Sequence, residues 1–340
     1  MNTAALKGTI YLLFSCAVLV LTKSASGSPP DVMSIPADLV MPQVISGDPA
    51  PGKRVLQALP EYQMSAVRHA LYLPTDWKKG NTYPVIAEFT GNGGTVAGGK
   101  AVQGYGISGG KEFIWVTLPF VSEDRQEDMD WWWGDADRTA DYAMKAIESI
   151  CTQWGGNPKA VILTGYSRGA IACNYIGLRN DAIAKLWLGM IPVSHYDNRA
   201  WKQPEVEQSL RVERLRRLVT TPQYVCGEMQ LAEKHNDQRL LALVRERGFT
   251  DIDSATRELN LKSILEQEGI RDFITQNHPD AKVTFDTFPW VNHDGEWIQR
   301  DTATRTSLRK WVSQLVASTK PARPSDPIES NVRTDLQDPP

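Results

Sequence analysis

The pentapeptide Gly165-Tyr166-Ser167-Arg168-Gly169 restricts the fold of this chain more than any other stretch of its sequence. The apolar, β-branched run 161–164 before it predicts a short buried strand, and the spacing of apolar residues after it predicts a helix. A serine on a tight turn between a strand and a helix takes a strained backbone conformation that exposes its Oγ, and flanking glycines remove side chains that would clash. The pattern therefore predicts a serine presented for nucleophilic attack. The alternative is a glycine-rich turn with an ordinary surface serine.

Apolar or alternating segments, separated by helical patterns, continue along most of the chain. Strands are also predicted over residues 65–73, 83–90, 113–118, 186–193, 222–227 and 282–288. Helices are predicted over residues 136–154, 206–219 and 296–318, with two or three polar helical segments between 229 and 276. Strands that alternate with helices favour an α/β fold with a mostly parallel central sheet and helices on both faces. We expect this domain to span residues 65–318.

The two ends of the chain differ from its centre. Residues 1–28 have the features of a secretory signal peptide, with Lys7, an apolar run over 10–21 and a small-residue cleavage zone at 24–28. An uncleaved membrane anchor is the alternative. We therefore expect a secreted or periplasmic protein with no stable membrane partner after cleavage. The proline-rich residues 29–64 predict an N-terminal arm, and residues 319–340 predict a disordered C-terminal tail.

Composition and motif content argue against several classes of function. The chain has 340 residues, a net charge of −3 and no basic stripe, which argues against a nucleic-acid partner. Its histidines are scattered, and it contains neither H-E-x-x-H nor paired C-x-x-C, so we predict no metal site. It also lacks the phosphate-binding pattern G-x-x-x-x-G-K, and we predict no cofactor. The sparse cysteines of the mature chain are interpreted as mostly buried small side chains, of which one pair could form a disulfide.

Candidate catalytic residues follow the predicted strands. Ligands bind at the carboxyl ends of the strands in parallel sheets, and Ser167, Asn92, Asp197, Glu228 and His293 all follow strands. A serine needs a histidine within hydrogen-bond reach to remove its proton. His293, on the loop between the last strand and the last helix, is the predicted base because it comes last in the order serine, acid, histidine.

The acid that would orient this histidine is left open among three residues. Its role is to fix the tautomer of the imidazole and to stabilise the imidazolium. Glu228, at the end of a predicted strand, has the expected place in the chain. Asp197, after the preceding strand, is the alternative acid, and Asp237 lies deeper in a helical segment. A serine–histidine dyad without an acid is the remaining alternative. His195 also follows a strand and is predicted to line the substrate site or to hold the acid.

Two further loops are candidate parts of the site. The turn Gly91-Asn92-Gly93-Gly94 lets backbone N–H groups approach a ligand oxygen, as the second donor of an oxyanion hole must. The run Trp131-Trp132-Trp133 cannot place all three rings in one core, because neighbouring side chains diverge on a regular element. We predict Trp132 and Trp133 to bind substrate as an aromatic wall, with a plug that packs onto the domain as an equal alternative.

With a strand, Gly-Tyr-Ser-Arg-Gly and a helix, followed by Asn292-His293-Asp294, the chain resembles the α/β-hydrolase superfamily. The stretch 154–161, Trp-Gly-Gly-Asn-Pro-Lys-Ala-Val, is similar to secreted esterases of the polyhydroxybutyrate-depolymerase, feruloyl-esterase and acetyl-xylan-esterase types. The resemblance implies Ser167 as nucleophile, His293 as base, and the backbone N–H groups of Arg168 and Asn92 as the oxyanion hole. Two positions depart from the superfamily pattern. Thr90-Gly91 replaces a common His-Gly, and Gln230 stands where many relatives have the acid.

These residues lead to three functional hypotheses. The first is a secreted serine esterase that cleaves carboxylic esters through an acyl-enzyme, with small-molecule or polysaccharide-linked esters as substrates. The second is a serine peptidase on the same fold, because amide cleavage uses the same groups. The third is a binding protein that has kept the fold without catalysis.

Overall fold

The computed structural model describes residues 31–197, 204–228, 270–288, 290 and 293–319, and within them nine strands form one sheet. The strands are β1 (Val44–Ile45), β2 (Arg54–Gln57), β3 (His69–Tyr72), β4 (Tyr83–Phe89), β5 (Ile114–Leu118), β6 (Gly156–Tyr166), β7 (Trp187–Val193), β8 (Gln223–Glu228) and β9 (Val283–Phe288). Their order across the sheet is β1-β2-β3-β5-β4-β6-β7-β8-β9. The neighbours from β5 to β9 all pair in parallel, whereas β3 is antiparallel to both β2 and β5.

Helices connect the parallel strands. They are α1 (Gln103–Ser108), α2 (Ala136–Trp154), α3 (Arg168–Tyr175), α4 (Asp181–Ala184), α5 (Pro204–Arg216) and α6 (Ala303–Ala317), and residues 270–277 are also helical. The bounds of α2 agree with the sequence prediction because its signals are strong. Asp135 caps its first turn by accepting hydrogen bonds from the N–H groups of Asp137 and Arg138.

The core consists of two apolar layers, one on each face of the sheet. Alternate residues of β4 point into different layers, with Val85 in one and Ile86 in the other. The first layer packs against α2 through residues such as Tyr142, and the second packs against α6 through residues such as Leu308. A mostly parallel sheet with helices on both faces and a serine turn between β6 and α3 is the α/β-hydrolase fold, as predicted from the sequence.

Several boundaries differ from the prediction. The helix predicted over 296–318 is divided into the short 3₁₀ helix Gly295–Gln299 and α6, because Thr302 adopts extended backbone and caps α6 through its hydroxyl. Strands β1 and β2 lie within residues 29–64, the segment predicted as a proline-rich arm. The predicted signal peptide, the helical segments between 229 and 269 and the tail from 320 onward lie outside the described residues.

The turn between β6 and α3 depends on two close backbone contacts. A methyl group built on Gly169 would lie 2.0 Å from the carbonyl oxygen of Phe89, and one built on Gly165 would lie 2.3 Å from the carbonyl carbon of Gly169. Real Cβ atoms do not approach backbone so closely, so only glycine allows α3 to begin directly against β4. The motif glycines are therefore required by packing.

We expect Gly169→Ala to destabilise the fold by about 1–3 kcal/mol or more, because the added methyl group would push α3 away from the β4 backbone. Urea or thermal unfolding measures this change. The control is Gly98→Ala on an exposed loop, where the methyl group would lie 3.2 Å from the hydroxyl of Thr95 and no closer than 3.5 Å to any backbone atom. This control should stay within about 0.5 kcal/mol of wild type. Equal stability of the two variants would contradict the packing argument.

A second stability prediction concerns His69 on β3. Its ring is buried and its Nδ1 lies 3.0 Å from the hydroxyl of Tyr142. Burial lowers the pKa of His69 to about 4, with a smaller contribution from the charge of Arg68. In the unfolded chain this histidine has a pKa of about 6.5, so it binds more protons than in the folded chain between about pH 6.5 and 4. The stability due to this neutral histidine is present above that window and is lost as the pH falls through it.

We expect the unfolding free energy of wild type to fall by on the order of 3 kcal/mol from this residue between pH 6.5 and 4. In His69→Gln the decline over the same range should be shallower, because the replacement does not titrate. Urea unfolding at half-unit pH steps measures both slopes. Parallel slopes for the two proteins would show that His69 takes up its proton equally in both states.

Candidate active site

Ser167 occupies the strained position that its motif predicts. It lies between β6 and α3 with φ 57° and ψ −118°, and its N–H donates to the carbonyl of Val193 at 3.1 Å. A positive φ at a residue other than glycine costs about 1–3 kcal/mol and persists only where surrounding structure enforces it. The packing of Gly165 and Gly169 supplies that enforcement here. This packing fixes Ser167 at the carboxyl end of the central strand.

The structure brings His293 to Ser167. The loop after β9 places His293 Nε2 3.1 Å from Ser167 Oγ. This distance lies within the range of about 2.6–3.2 Å over which a base can take a proton directly. The ring of His293 contacts that of Tyr166, at a centroid distance of 4.9 Å, and that of His195, at 5.5 Å. His195, predicted from sequence to line the site, is therefore beside the candidate base.

We define residues 90–94, which follow β4, as the oxyanion turn. A methyl group built on Gly91 would lie 3.6 Å from Ser167 Cβ, so this turn stands directly beside the candidate nucleophile. Within the described part of the chain, the backbone N–H of Asn92 makes no hydrogen bond. The N–H of Arg168, as the first residue of α3, has no acceptor within the helix. Both donors remain available to a ligand oxygen.

We define residues 129–133 as the tryptophan loop, and its three rings have different environments. Trp131 and Trp132 are 58% and 48% exposed, whereas Trp133 is partly buried against Phe120 and Tyr175, with centroid distances of 6.0 and 5.1 Å. Trp133 thus has the position of a plug on the domain, and Trp131 and Trp132 have that of an exposed wall. The edge of the Trp131 ring lies 4.0 Å from a methyl group built on Gly93, so this wall borders the oxyanion turn.

Sequence reasoning missed the role of the Arg168 side chain. Only its backbone N–H was predicted to matter, but the guanidinium is 1% exposed and donates hydrogen bonds to both the oxyanion turn and the tryptophan loop. Burial lowers the pKa of Arg168 to about 10, which the nearby charges of Asp128 and Asp130 partly offset. No sequence signal reveals this burial, because arginine at a variable position of the motif reads as a surface residue.

The candidate acids Asp197 and Glu228 have different positions in the structure. Asp197 is buried, and Arg214 donates to its two carboxylate oxygens at 3.1 and 3.4 Å. Glu228 is the last residue of β8, and its side chain lies outside the described residues, as does all of Asp237. The structure therefore assigns Asp197 a buried ion pair and places Glu228 at the carboxyl edge of the sheet.

The described part of the chain holds neither a metal-binding cluster nor a helix that could span a membrane. No group of three or more histidine, cysteine, aspartate or glutamate side chains there is arranged to hold a metal ion. Among the helices of the same residues, none combines the length and the apolar character that crossing a membrane requires. Cys151, Cys173 and Cys226 are present as thiols.

No family model matches the chain, and no curated protein matches it. Among solved structures, a thermostable esterase is 12% identical over 76% of this chain, with a TM-score of 0.43, and this chain spans 61% of its length. Esterase B from Lactobacillus rhamnosis is 13% identical over 83% of this chain and 90% of its own, with a TM-score of 0.46. Dipeptidyl peptidase 4 from Porphyromonas gingivalis is 10% identical over 74% of this chain and 34% of its own, with a TM-score of 0.45. Likenesses this distant carry no information on activity.

The buried pair of Asp197 with Arg214 leads to a stability prediction. Because both side chains are at most 4% exposed, Asp197→Asn would leave a buried guanidinium without its carboxylate, at a cost of about 3–5 kcal/mol. Thermal unfolding at neutral pH measures the loss. Asp181→Asn is the matched control, because Asp181 pairs with Arg217 at the same 3.1 Å but is 79% exposed. We expect this control to change stability by less than about 1 kcal/mol. Similar losses in both variants would contradict the assigned burial.

Proposed function

We propose that this protein is a serine hydrolase that cleaves carboxylic esters through an acyl-enzyme on Ser167. The observation that carries the proposal is the 3.1 Å contact between His293 Nε2 and the Oγ of a serine held in strained backbone. An ordinary surface serine requires neither positive φ nor an imidazole at hydrogen-bond distance, whereas a serine nucleophile uses both. The adjacent oxyanion turn gives the pair a place where a carbonyl oxygen can bind.

The geometry supports a two-stage reaction. Ser167 Oγ attacks the carbonyl carbon of the ester while His293 Nε2 takes the proton of the hydroxyl. The carbonyl oxygen becomes an oxyanion that accepts hydrogen bonds from the N–H groups of Asn92 and Arg168. His293 then gives its proton to the leaving alcohol, and the carbonyl reforms as the acyl-enzyme. In the second stage, water attacks the acyl carbon while His293 takes a proton from it, and His293 then returns this proton to Ser167 Oγ as the bond to the acyl carbon breaks and the carboxylic acid leaves.

We assign Glu228 the role of the acid that orients His293. Two observations support it over Asp197. Glu228 pairs with Phe288 at the carboxyl ends of β8 and β9, and His293 follows β9 by five residues. Asp197 already forms its ion pair with Arg214, which would weaken it as a partner of an imidazolium. The proposed triad is therefore Ser167, Glu228 and His293.

The exposed aromatic wall supports a substrate class. Trp131 and Trp132 border the oxyanion turn and offer flat apolar faces to a group attached to the ester. Such faces suit an aromatic acyl group or a sugar ring, so the proposed substrates are small-molecule esters and esters linked to carbohydrate. The signal peptide predicted from the sequence fits an extracellular or periplasmic substrate of this kind.

The test is labelling of the mature protein with a fluorescent fluorophosphonate, which phosphonylates only an activated serine. We expect wild type to be labelled and Ser167→Ala to remain unlabelled. His293→Ala should be labelled about 10²–10⁴-fold more slowly because it lacks the base. Glu228→Gln should be slowed by up to about 10⁴-fold through loss of the acid. The control is His278→Ala, which changes a histidine that follows the helical residues 270–277.

Hydrolysis of p-nitrophenyl esters by the same proteins then distinguishes an esterase from a serine hydrolase that prefers amide substrates. Labelling of Ser167→Ala at the wild-type rate would refute the assignment of Ser167 as the nucleophile. An unlabelled wild type would refute the serine hydrolase altogether and favour a binding protein. Faster turnover of matched amides than of esters would replace the esterase by a peptidase.

A further inference from the structure

We propose that Arg168 is a positioning residue whose side chain holds the oxyanion turn and the tryptophan loop together against residues 165–169, the turn that carries Ser167 and that we call the nucleophile turn. The inference rests on the proposed function, since it assigns the two loops to one reaction centre. Arg168 would then act twice: its backbone N–H binds the oxyanion, and its guanidinium fixes the segment that carries the second donor.

The first set of contacts is with the oxyanion turn. Arg168 Nη2 donates to the carbonyls of Gly91 at 3.0 Å and Gly94 at 2.9 Å, and to the hydroxyl of Thr90 at 3.1 Å. Its Nε donates to the carbonyl of Thr90 at 3.4 Å. These acceptors flank Asn92 on both sides. The orientation of the Asn92 N–H therefore depends on where the guanidinium holds its neighbours.

The second set of contacts is with the tryptophan loop. Arg168 Nη1 donates to the carbonyls of Met129 at 3.0 Å and Trp132 at 2.7 Å. Two direct bonds join this loop to the oxyanion turn, from Gly93 N–H to the carbonyl of Asp130 at 2.7 Å and from Trp132 N–H to Asn92 Oδ1 at 3.1 Å. The turn and the loop therefore form one hydrogen-bonded unit, with the guanidinium at its centre.

The chemistry of the site requires arginine. Its planar guanidinium has five N–H donors that diverge toward two segments, whereas a lysine ammonium has three donors on one nitrogen. The guanidinium carbon also lies 4.0 Å from the ring centroid of Phe120, and this cation–π contact stabilises the positive charge. The acceptors are five carbonyls and one hydroxyl, all neutral, so the arrangement orders backbone rather than forming an ion pair.

This arrangement predicts a specific kinetic defect. Oxyanion hydrogen bonds reach full strength in the transition state, so a displaced donor lowers kcat and leaves ground-state binding nearly unchanged. The contact between Ser167 and His293 does not pass through the guanidinium. The pH dependence of kcat/KM should therefore keep its wild-type midpoint when Arg168 is replaced by lysine, which preserves the positive charge.

The experiment compares Arg168→Met, Arg168→Lys and Arg54→Met, assayed with p-nitrophenyl acetate at temperatures where each is folded. Arg54 is a matched control because it is also 1% exposed and lies 4.0 Å from the centroid of Trp115, while its hydrogen bonds go to the carbonyl of Gly99 and the hydroxyl of Thr117, outside both loops. We expect Arg168→Met to lose about 10²-fold in kcat, as when an oxyanion donor is removed or displaced by about 1 Å. Arg168→Lys should lose less, and KM should change little in either variant.

The outcomes separate positioning from general stability. Arg54→Met should lower the melting temperature while kcat stays near wild type. A kcat within a few-fold of wild type in Arg168→Met, or an equal loss of kcat in Arg54→Met, would overturn the proposal. A shifted pH midpoint in Arg168→Lys, which keeps the positive charge, would also overturn it, because the defect would then lie in the base. If Arg168→Met does not fold, Arg168→Lys carries the same comparison.

Hydrogen exchange separates failure of this inference from failure of the proposed function. The amides of residues 90–94 and 129–132 should exchange faster together in Arg168→Met, and those near Arg54 should be unaffected. This result would support the positioning role even for a wild-type protein that neither labels with fluorophosphonate nor cleaves esters. Unchanged exchange in both segments would refute the positioning role, whatever the enzyme does.

Discussion

The arrangement of the candidate site depends on the contact between α3 and the end of β4. Strands β4 and β6 are neighbours, and Phe89 pairs with Gly165 across them. The helix can begin immediately after β6 only because Gly169 lies against the carbonyl of Phe89 without a Cβ. This contact forces Ser167 into positive φ and sets it beside the first residues after β4. Strand pairing thus brings the oxyanion turn beside Ser167, and the hydrogen bonds of the Arg168 side chain then hold the turn there.

A buried carboxylate extends this arrangement to the opposite face of the sheet. Glu88, near the end of β4, accepts hydrogen bonds from the backbone N–H groups at the start of α1 and from Trp115 Nε1. Burial raises the pKa of Glu88, whereas these four donors favour its charged form. Helix α1 in turn contacts the loop that carries His293, because Gln103 Nε2 donates to the carbonyl of Gly295 at 3.1 Å. The strand that carries the oxyanion turn therefore also helps to locate the loop of His293.

Most features predicted correctly from sequence have a local physical cause. The nucleophile turn follows from two glycines around a serine, and α2 from a capping aspartate and an apolar stripe. The placement of His293 followed from chain order alone, because parallel strands bring their carboxyl ends to one edge. Side-chain burial of Arg168 was not predictable, since it depends on carbonyls that are far apart in the sequence. The acid could not be fixed either, because Glu228 and Asp197 both follow predicted strands of the sheet.

The N-terminal segment shows why a proline-rich stretch can have a fixed structural role. Residues near Asp38 lie against the 3₁₀ helix that follows His293, where the N–H groups of Asp38 and Leu39 donate to the carbonyl of Gln299. Arg305 adds two hydrogen bonds of 2.6 Å to the carboxylate of Asp38. Proline favours extended backbone, and extended backbone leaves its N–H and carbonyl groups available for such contacts. The 3₁₀ helix is therefore held from two sides, by Gln103 at its first residue and by the N-terminal segment at its last. The proposed mechanism requires His293 to stay within about 3 Å of Ser167, and support at both ends of this helix helps to fix the loop that carries it.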